Sequence, residues 1–144
     1  MTQFLPLAIA LLLTALPFST AQAQTWSVGQ SSTRTAITAV SVPAQEADAP
    51  RIVVIGSLSG DAASTGTVQI GYEAYVNTSE NFLDVTFIGA ANPDAEPLHF
   101  PPPEPAYSAN PAAWSLWQWL GSHAPDAVIL VGGDEYGLGE ALAN

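Results

Sequence analysis

The chain has 144 residues, the size of one domain. Apolar residues make up 48% and charged residues only 10%, with 13 acids against 2 basic side chains and a formal net charge of −11. This balance excludes nucleic acid, an anionic membrane surface and phosphate-rich ligands as partners, because too few cations exist to neutralise them. The lack of cysteine excludes a disulfide framework, a thiolate nucleophile and cysteine-bound zinc, and the apolar fraction argues against wholesale disorder.

Phe4 to Leu16 (FLPLAIALLLTAL) is a nearly unbroken apolar run, too short for a convincing membrane span. Ala21-Gln22-Ala23 follows as a small-x-small cleavage site, so residues 1–23 are expected to be a secretory signal peptide. The departure is Met1-Thr2-Gln3, which supplies no Lys or Arg; the alternative is a retained N-terminal anchor. The mature chain is expected to begin near Gln24, to form a single α/β domain over 24–144, and to work secreted or in a periplasm. No membrane contact is expected after cleavage.

Thr35 to Val42 alternates small, branched and polar residues and reads as a strand. Pro43 to Pro50 is an acidic connector. Arg51 to Leu58 (RIVVIGSL) is a branched apolar run of the kind buried on both faces in a parallel sheet. A turn over 59–65 follows, with Thr65 expected to cap a helix from Gly66 to about Asn77 that carries Val68, Tyr72, Tyr75 and Val76 on one stripe. Phe82 to Ala91 predicts a second buried strand, ended by the turn Asn92-Pro93-Asp94. Glu96 to Pro111 is proline-rich and favours extended backbone. Asn110 is expected to cap a helix with Pro111 at its first position and Gly121 just past its end. On it, Trp114 and Trp117 are expected in the core, and Trp119 on a different face, at the sheet edge or a partner. Ala127 to Val131 (AVILV) predicts a third buried strand, and a last short helix covers roughly Glu135 to Ala143.

This alternation of strands and helices implies an α/β fold: three layers, a mostly parallel sheet, and an added N-terminal strand. Ligands of such sheets bind beyond the carboxyl ends of the strands. Those ends are 59–64, 92–96 and 132–136, which makes Ser59, Asp61, Asn92, Asp94, Asp134 and Glu135 the candidate ligand-facing residues. The carboxylates among them could together attract a hard cation. The plainer reading makes them helix caps and turn residues.

RIVVIGSLSGD resembles the G-G-I-H-G-D-E block of zinc carboxypeptidases and of the related succinylglutamate desuccinylases and aspartoacylases. Asn92-Pro93-Asp94 resembles that superfamily's N-P-D-G turn. FPPPEPAYSANPAAWSLWQWLGSHAPDAVILV resembles exported members with a proline-rich loop, a Trp-rich helix and A-P-D before a strand. Gly29-Gln30-Ser31 with Arg34 and Ile37 is similar to a G-x-S-x-x-x-R-x-I opening segment. The resemblance spans roughly residues 26–142 and implies the N-terminal half of that fold. It also implies zinc, bound through H-x-x-E and a later His. Here those positions fall on Ser59, Ala62 and, near the third, Gly132, none of which can replace imidazole or carboxylate at zinc. No arginine follows the Asn92-Pro93-Asp94 turn to clamp a substrate carboxylate.

Other motifs are weaker. His99 and His123 are the only histidines, and their spacing fits no metal-ligand pattern; both read as exposed loop residues. Gly56-Ser57-Leu58-Ser59-Gly60 misses the register of a nucleophile elbow, since Leu58 stands where Ser is required. Asn77-Thr78-Ser79 fits a glycosylation sequon, which has meaning only in a eukaryotic host. The sequence therefore leads to an exported, degenerate relative of zinc carboxypeptidases and deacylases. It is expected to lack metal-dependent hydrolysis, to need no cofactor, and to bind a peptide or a small amino-acid-like ligand. The alternatives are a truncated fragment prone to self-association, and an interaction module using the Trp- and Pro-rich surface.

Overall fold

A computed structural model describes residues 22–103 and 109–144. The apolar run at 4–16 and residues 104–108 of the proline-rich loop lie outside the described residues. The elements in chain order are β1 (Gln24–Gln30), β2 (Ala36–Val42), β3 (Arg51–Gly56), α1 (Ala62–Val76), β4 (Asp84–Ile88), α2 (Pro111–His123), β5 (Ala127–Val131) and α3 (Leu138–Ala143). No helix among the described residues is long and apolar enough to cross a membrane.

The fold is α/β, as the alternation of elements implies. The five strands form one sheet in the order β1-β2-β4-β3-β5. β3 pairs in parallel with both β4 and β5, whereas β1–β2 and β2–β4 are antiparallel, so the sheet is mixed. The N-terminal addition is a hairpin rather than one strand. β1 went unread because Gln24–Gln30 lacks an apolar run and buries only Val28.

The period of two sorts the strands' side chains onto two faces. Val42, Val85 and Phe87 face α1, where Val68 is buried and Tyr72 and Tyr75 pack on the Phe87 ring. On the other face Ile37, Ala39, Val53, Ile55 and Ile88 meet Ala112, Ala113, Leu116, Trp119 and Leu120 of α2, together with Leu138 of α3. These are three layers, with the larger core under α2. Gly29 allows the close approach of α2: a Cβ there would collide with the Ser115 side chain.

Several elements differ from the sequence expectation. α1 starts at Ala62, a turn earlier than expected, because Asp61 rather than Thr65 caps it by accepting from the Ser64 N–H at 2.7 Å. α2 is capped by Asn110, with Pro111 first, as expected, but it runs through Gly121 to His123. It ends at Ala124, which is left-handed at φ 44° just before Pro125. Trp119 lies in the core at 6% exposure, on the i, i+3, i+4 face with Ala112, Ser115 and Leu116; Trp114 and Trp117 are only half-buried. β4 begins at Asp84, leaving Phe82 and Leu83 exposed. The last helix begins at Leu138. β5 is an edge strand rather than a buried one: no described strand pairs with its outer side, and Ile129 is 50% exposed.

Candidate functional site

The carboxyl ends of β3, β4 and β5 hold the residues singled out from the sequence, and the loops there close on one another. The turn after β3 passes through Ser57, which is buried and left-handed at φ 58°. Its carbonyl accepts from the Gly60 and Asn92 N–H groups at 3.1 and 3.2 Å. The Asp61 carboxylate accepts from the Ser59 hydroxyl at 2.9 Å and from the Ser64 hydroxyl and N–H at 2.7 Å. These bonds, Ser64's first, hold its pKa below the usual carboxylate value. Gly132, at the end of β5, sits against the same group: a side chain there would strike the Ser64 hydroxyl, and its φ of +97° already favours glycine.

Asn92 is fully buried behind this turn. Its amide donates to the Leu58 carbonyl at 2.8 Å and to the Glu96 carbonyl at 2.7 Å, clamping the β3 and β4 loops together. Its Oδ1 has no partner among the described residues. The β1–β2 turn plugs the outside of the same end. Thr33 donates to Asp94 from its hydroxyl at 2.6 Å and its N–H at 2.9 Å, and Ser32 donates to Glu96 at 2.7 Å. Thr33 thereby keeps the Asp94 pKa low. Asp134 turns to its own loop and accepts from the Gly139 N–H at 2.9 Å, and Glu135 is exposed.

The structure thus gathers Ser59, Asp61 and Ser64 with Gly132, and separately Asn92, Asp94 and Glu96 with the β1–β2 turn. It does not bring Asp61, Asp94, Asp134 and Glu135 into one cluster. Among the described residues no three His, Asp or Glu side chains converge as a metal site would require. At the three positions the resemblance assigns to zinc ligands stand a hydroxyl bonded to Asp61, the methyl of Ala62 and the bare backbone of Gly132. These residues do not fit a zinc ion. The two histidines also stay apart in their contacts. His99 is exposed, with Nδ1 3.1 Å from the Pro101 carbonyl, whereas His123 is half-buried and stacks on Trp119 at 3.7 Å.

The amino ends of the strands hold what sequence reasoning missed. On the α2 face, where α2 runs out, lies a cavity of about 260 Å³. Ser41, Thr86 and Val53 floor it, and Trp26, Trp119 and His123 wall it. The Trp26 indole is fixed by donating to the Ser41 hydroxyl at 3.0 Å, and its ring meets His123 edge-on at 6.1 Å. Arg51 and Asp84, partners in the β3–β4 register, stand at its mouth. Arg51 donates to the His123 carbonyl at 3.0 Å. Desolvation raises the Asp84 pKa and the Arg51 charge partly offsets this. The rule that ligands bind at carboxyl ends directed attention away from this end. The one sequence signal at this end is Trp26, in a strand that carries no apolar run.

No model of a known protein family matches the chain, and no curated protein matches it. Solved structures do match in fold. A metallo-carboxypeptidase from Burkholderia cenocepacia superposes with a TM-score of 0.66 at 13% identity, over 84% of this chain and 38% of that one. Thrombin activatable fibrinolysis inhibitor superposes with a TM-score of 0.60 at 10% identity, over 76% of this chain and 42% of that one. The chain therefore shares the metallo-carboxypeptidase fold and spans about two fifths of the length of these structures.

Proposed function

We propose that this protein is an exported, non-hydrolytic relative of the metallo-carboxypeptidases. In this reading it keeps part of their α/β frame, has lost their metal centre, and acts by binding a peptide or an amino-acid-like ligand. One observation carries the loss of hydrolysis. At the carboxyl end of the sheet, Ser59, Ala62 and Gly132 offer no metal donor, and the neighbouring Asp61 carboxylate is taken up by Ser59 and Ser64. Without a bound metal there is no Lewis acid and no acidified water for this family's chemistry. Export is supported by the apolar run at 4–16, the Ala21-Gln22-Ala23 site and the start of β1 at Gln24, one residue beyond it.

The purified protein, dialysed against micromolar zinc and then against metal-free buffer, is expected to retain no stoichiometric zinc by elemental analysis. It is likewise expected to release no C-terminal residue from peptides. One tightly held zinc per chain, with zinc-dependent release of C-terminal residues, overturns the proposal.

A second reading is favoured by β5. Among the described residues no strand pairs with the outer side of AVILV and Ile129 is half-exposed, as in a truncated relative of the longer neighbours. Coding sequence continuing in frame beyond Asn144 is the direct check. The interaction-module reading loses its main residue, since Trp119 is buried in the core.

A further inference from the structure

We propose that the cavity at the amino ends of β3 and β4 is a binding site for a free α-amino acid with an apolar side chain, its carboxylate paired with Arg51 and its ammonium with Asp84. The cavity lies at the opposite end of the sheet from Ser59, Ala62 and Gly132, so the proposal stands or falls separately from the loss of hydrolysis.

The size comes first. About 260 Å³ is just below the range of sites for drug-sized ligands and suits a molecule of roughly ten heavy atoms. The walls come second. Trp26, Trp119, His123, Val53 and Pro125 present apolar and aromatic surface, and the Trp26–Ser41 bond and the Trp119–His123 stack hold it in place.

The charges decide the ligand class. Arg51 and Asp84 lie directly across from each other on adjacent strands, roughly 4.8 Å apart along the hydrogen-bonding direction. Arg51 directs one N–H to the His123 carbonyl, and its other guanidinium donors meet no acceptor among the described residues, which leaves them for a carboxylate. Asp84 is partly desolvated, and among the described residues no donor bonds its carboxylate. A simple anion would meet Asp84 and a net charge of −11. A simple cation would meet Arg51, and a neutral apolar molecule would desolvate both charges without pairing either. A zwitterion with adjacent opposite charges satisfies both, and its side chain then lies on the indoles.

The test is a fluorescence titration of the full chain, since Trp26 and Trp119 line the site. The probes are L-leucine and L-phenylalanine, each compared with its amide, which lacks the carboxylate, and with its des-amino acid, which lacks the ammonium. At least one amino acid is expected to give a saturable response, with both analogues about tenfold weaker or more. Asp84→Asn is expected to erase the advantage over the des-amino acid and keep that over the amide. Arg51→Gln is expected to do the reverse. Thermal melts establish that each variant folds; if Arg51→Gln does not, because its bond to the end of α2 is lost, Asp84→Asn decides alone. No saturable response to either amino acid, equal binding of amino acid and analogues, or unchanged discrimination in Asp84→Asn overturns the proposal.

Discussion

At the carboxyl end of β3, β4 and β5, polar side chains answer one another. Asp61 is held by Ser59 and Ser64, Asp94 by Thr33, and Asn92 ties two loops together from a buried position. At the amino end, Arg51 and Asp84 face a cavity walled by rings, and among the described residues no donor bonds the Asp84 carboxylate. The first end has the form of a fastening and the second the form of a receptor. In a sheet of this class the expectation is the reverse. Where loop side chains bond one another in this way they hold the fold, and a cavity with unanswered charges at the other end of the same sheet is the place to test for binding.

The sharpest way to break this contrast is to cut the fastening. Asn92→Ala leaves the buried Leu58 carbonyl and the partly buried Glu96 carbonyl without this donor and is expected to cost about 2–4 kcal/mol, read as a fall in the denaturation midpoint. A loss below about 0.5 kcal/mol would mean that this end is not the structural one. Gly132→Ala comes next. It forces a side chain into the Ser64 hydroxyl at a left-handed position, at an expected cost of about 1–3 kcal/mol. Wild-type stability after this change would show that the β3 and β5 loops do not pack as described.

The smallest effect belongs to the other end and has the opposite sign. The folded-state pKa of Asp84 is raised, so its contribution is favourable below the unfolded value near 3.8 and is lost as pH rises through the folded pKa. Asp84→Asn is therefore expected to raise the melting temperature slightly at pH 7 and not at pH 3. Asp61 and Asp94 run the other way. Their folded pKa values are depressed, so their contributions are present above 3.8 and are lost as pH falls through the folded values. The wild-type chain should hold its melting temperature down to about pH 4 and lose it below. A stability loss in Asp84→Asn at pH 7 would make Asp84 part of the fastening.

Much of the fold was legible where residues carry a strong local signal. The branched runs at 51–56 and 127–131 are strands, and Asn110-Pro111 does open a helix. β1 was not legible, because an edge strand facing solvent needs no apolar pattern. The Trp119 placement failed because three tryptophans within six residues leave the buried face undetermined until the sheet is in place. The candidate residues were assigned to the correct end of the sheet, but not their bonding. Nothing in the sequence says that Thr33 reaches Asp94 across 61 positions, and such a contact is a product of tertiary packing. The cavity was invisible for the same reason, since its lining comes from β1, β2, β3, β4 and the last turn of α2.

The open side of β5 has a consequence for how the molecule behaves in solution. A row of backbone donors and acceptors that no described strand covers, flanked by Ile129 and Leu142, favours edge-to-edge stacking. Asp126, Asp134, Glu135 and Glu140 cluster in sequence around that strand within a chain of net charge −11, so two such edges repel as they approach. Ionic strength is then expected to set the molecule's sociability: light scattering should stay flat in dilute buffer and rise in concentrated salt, where the repulsion is screened.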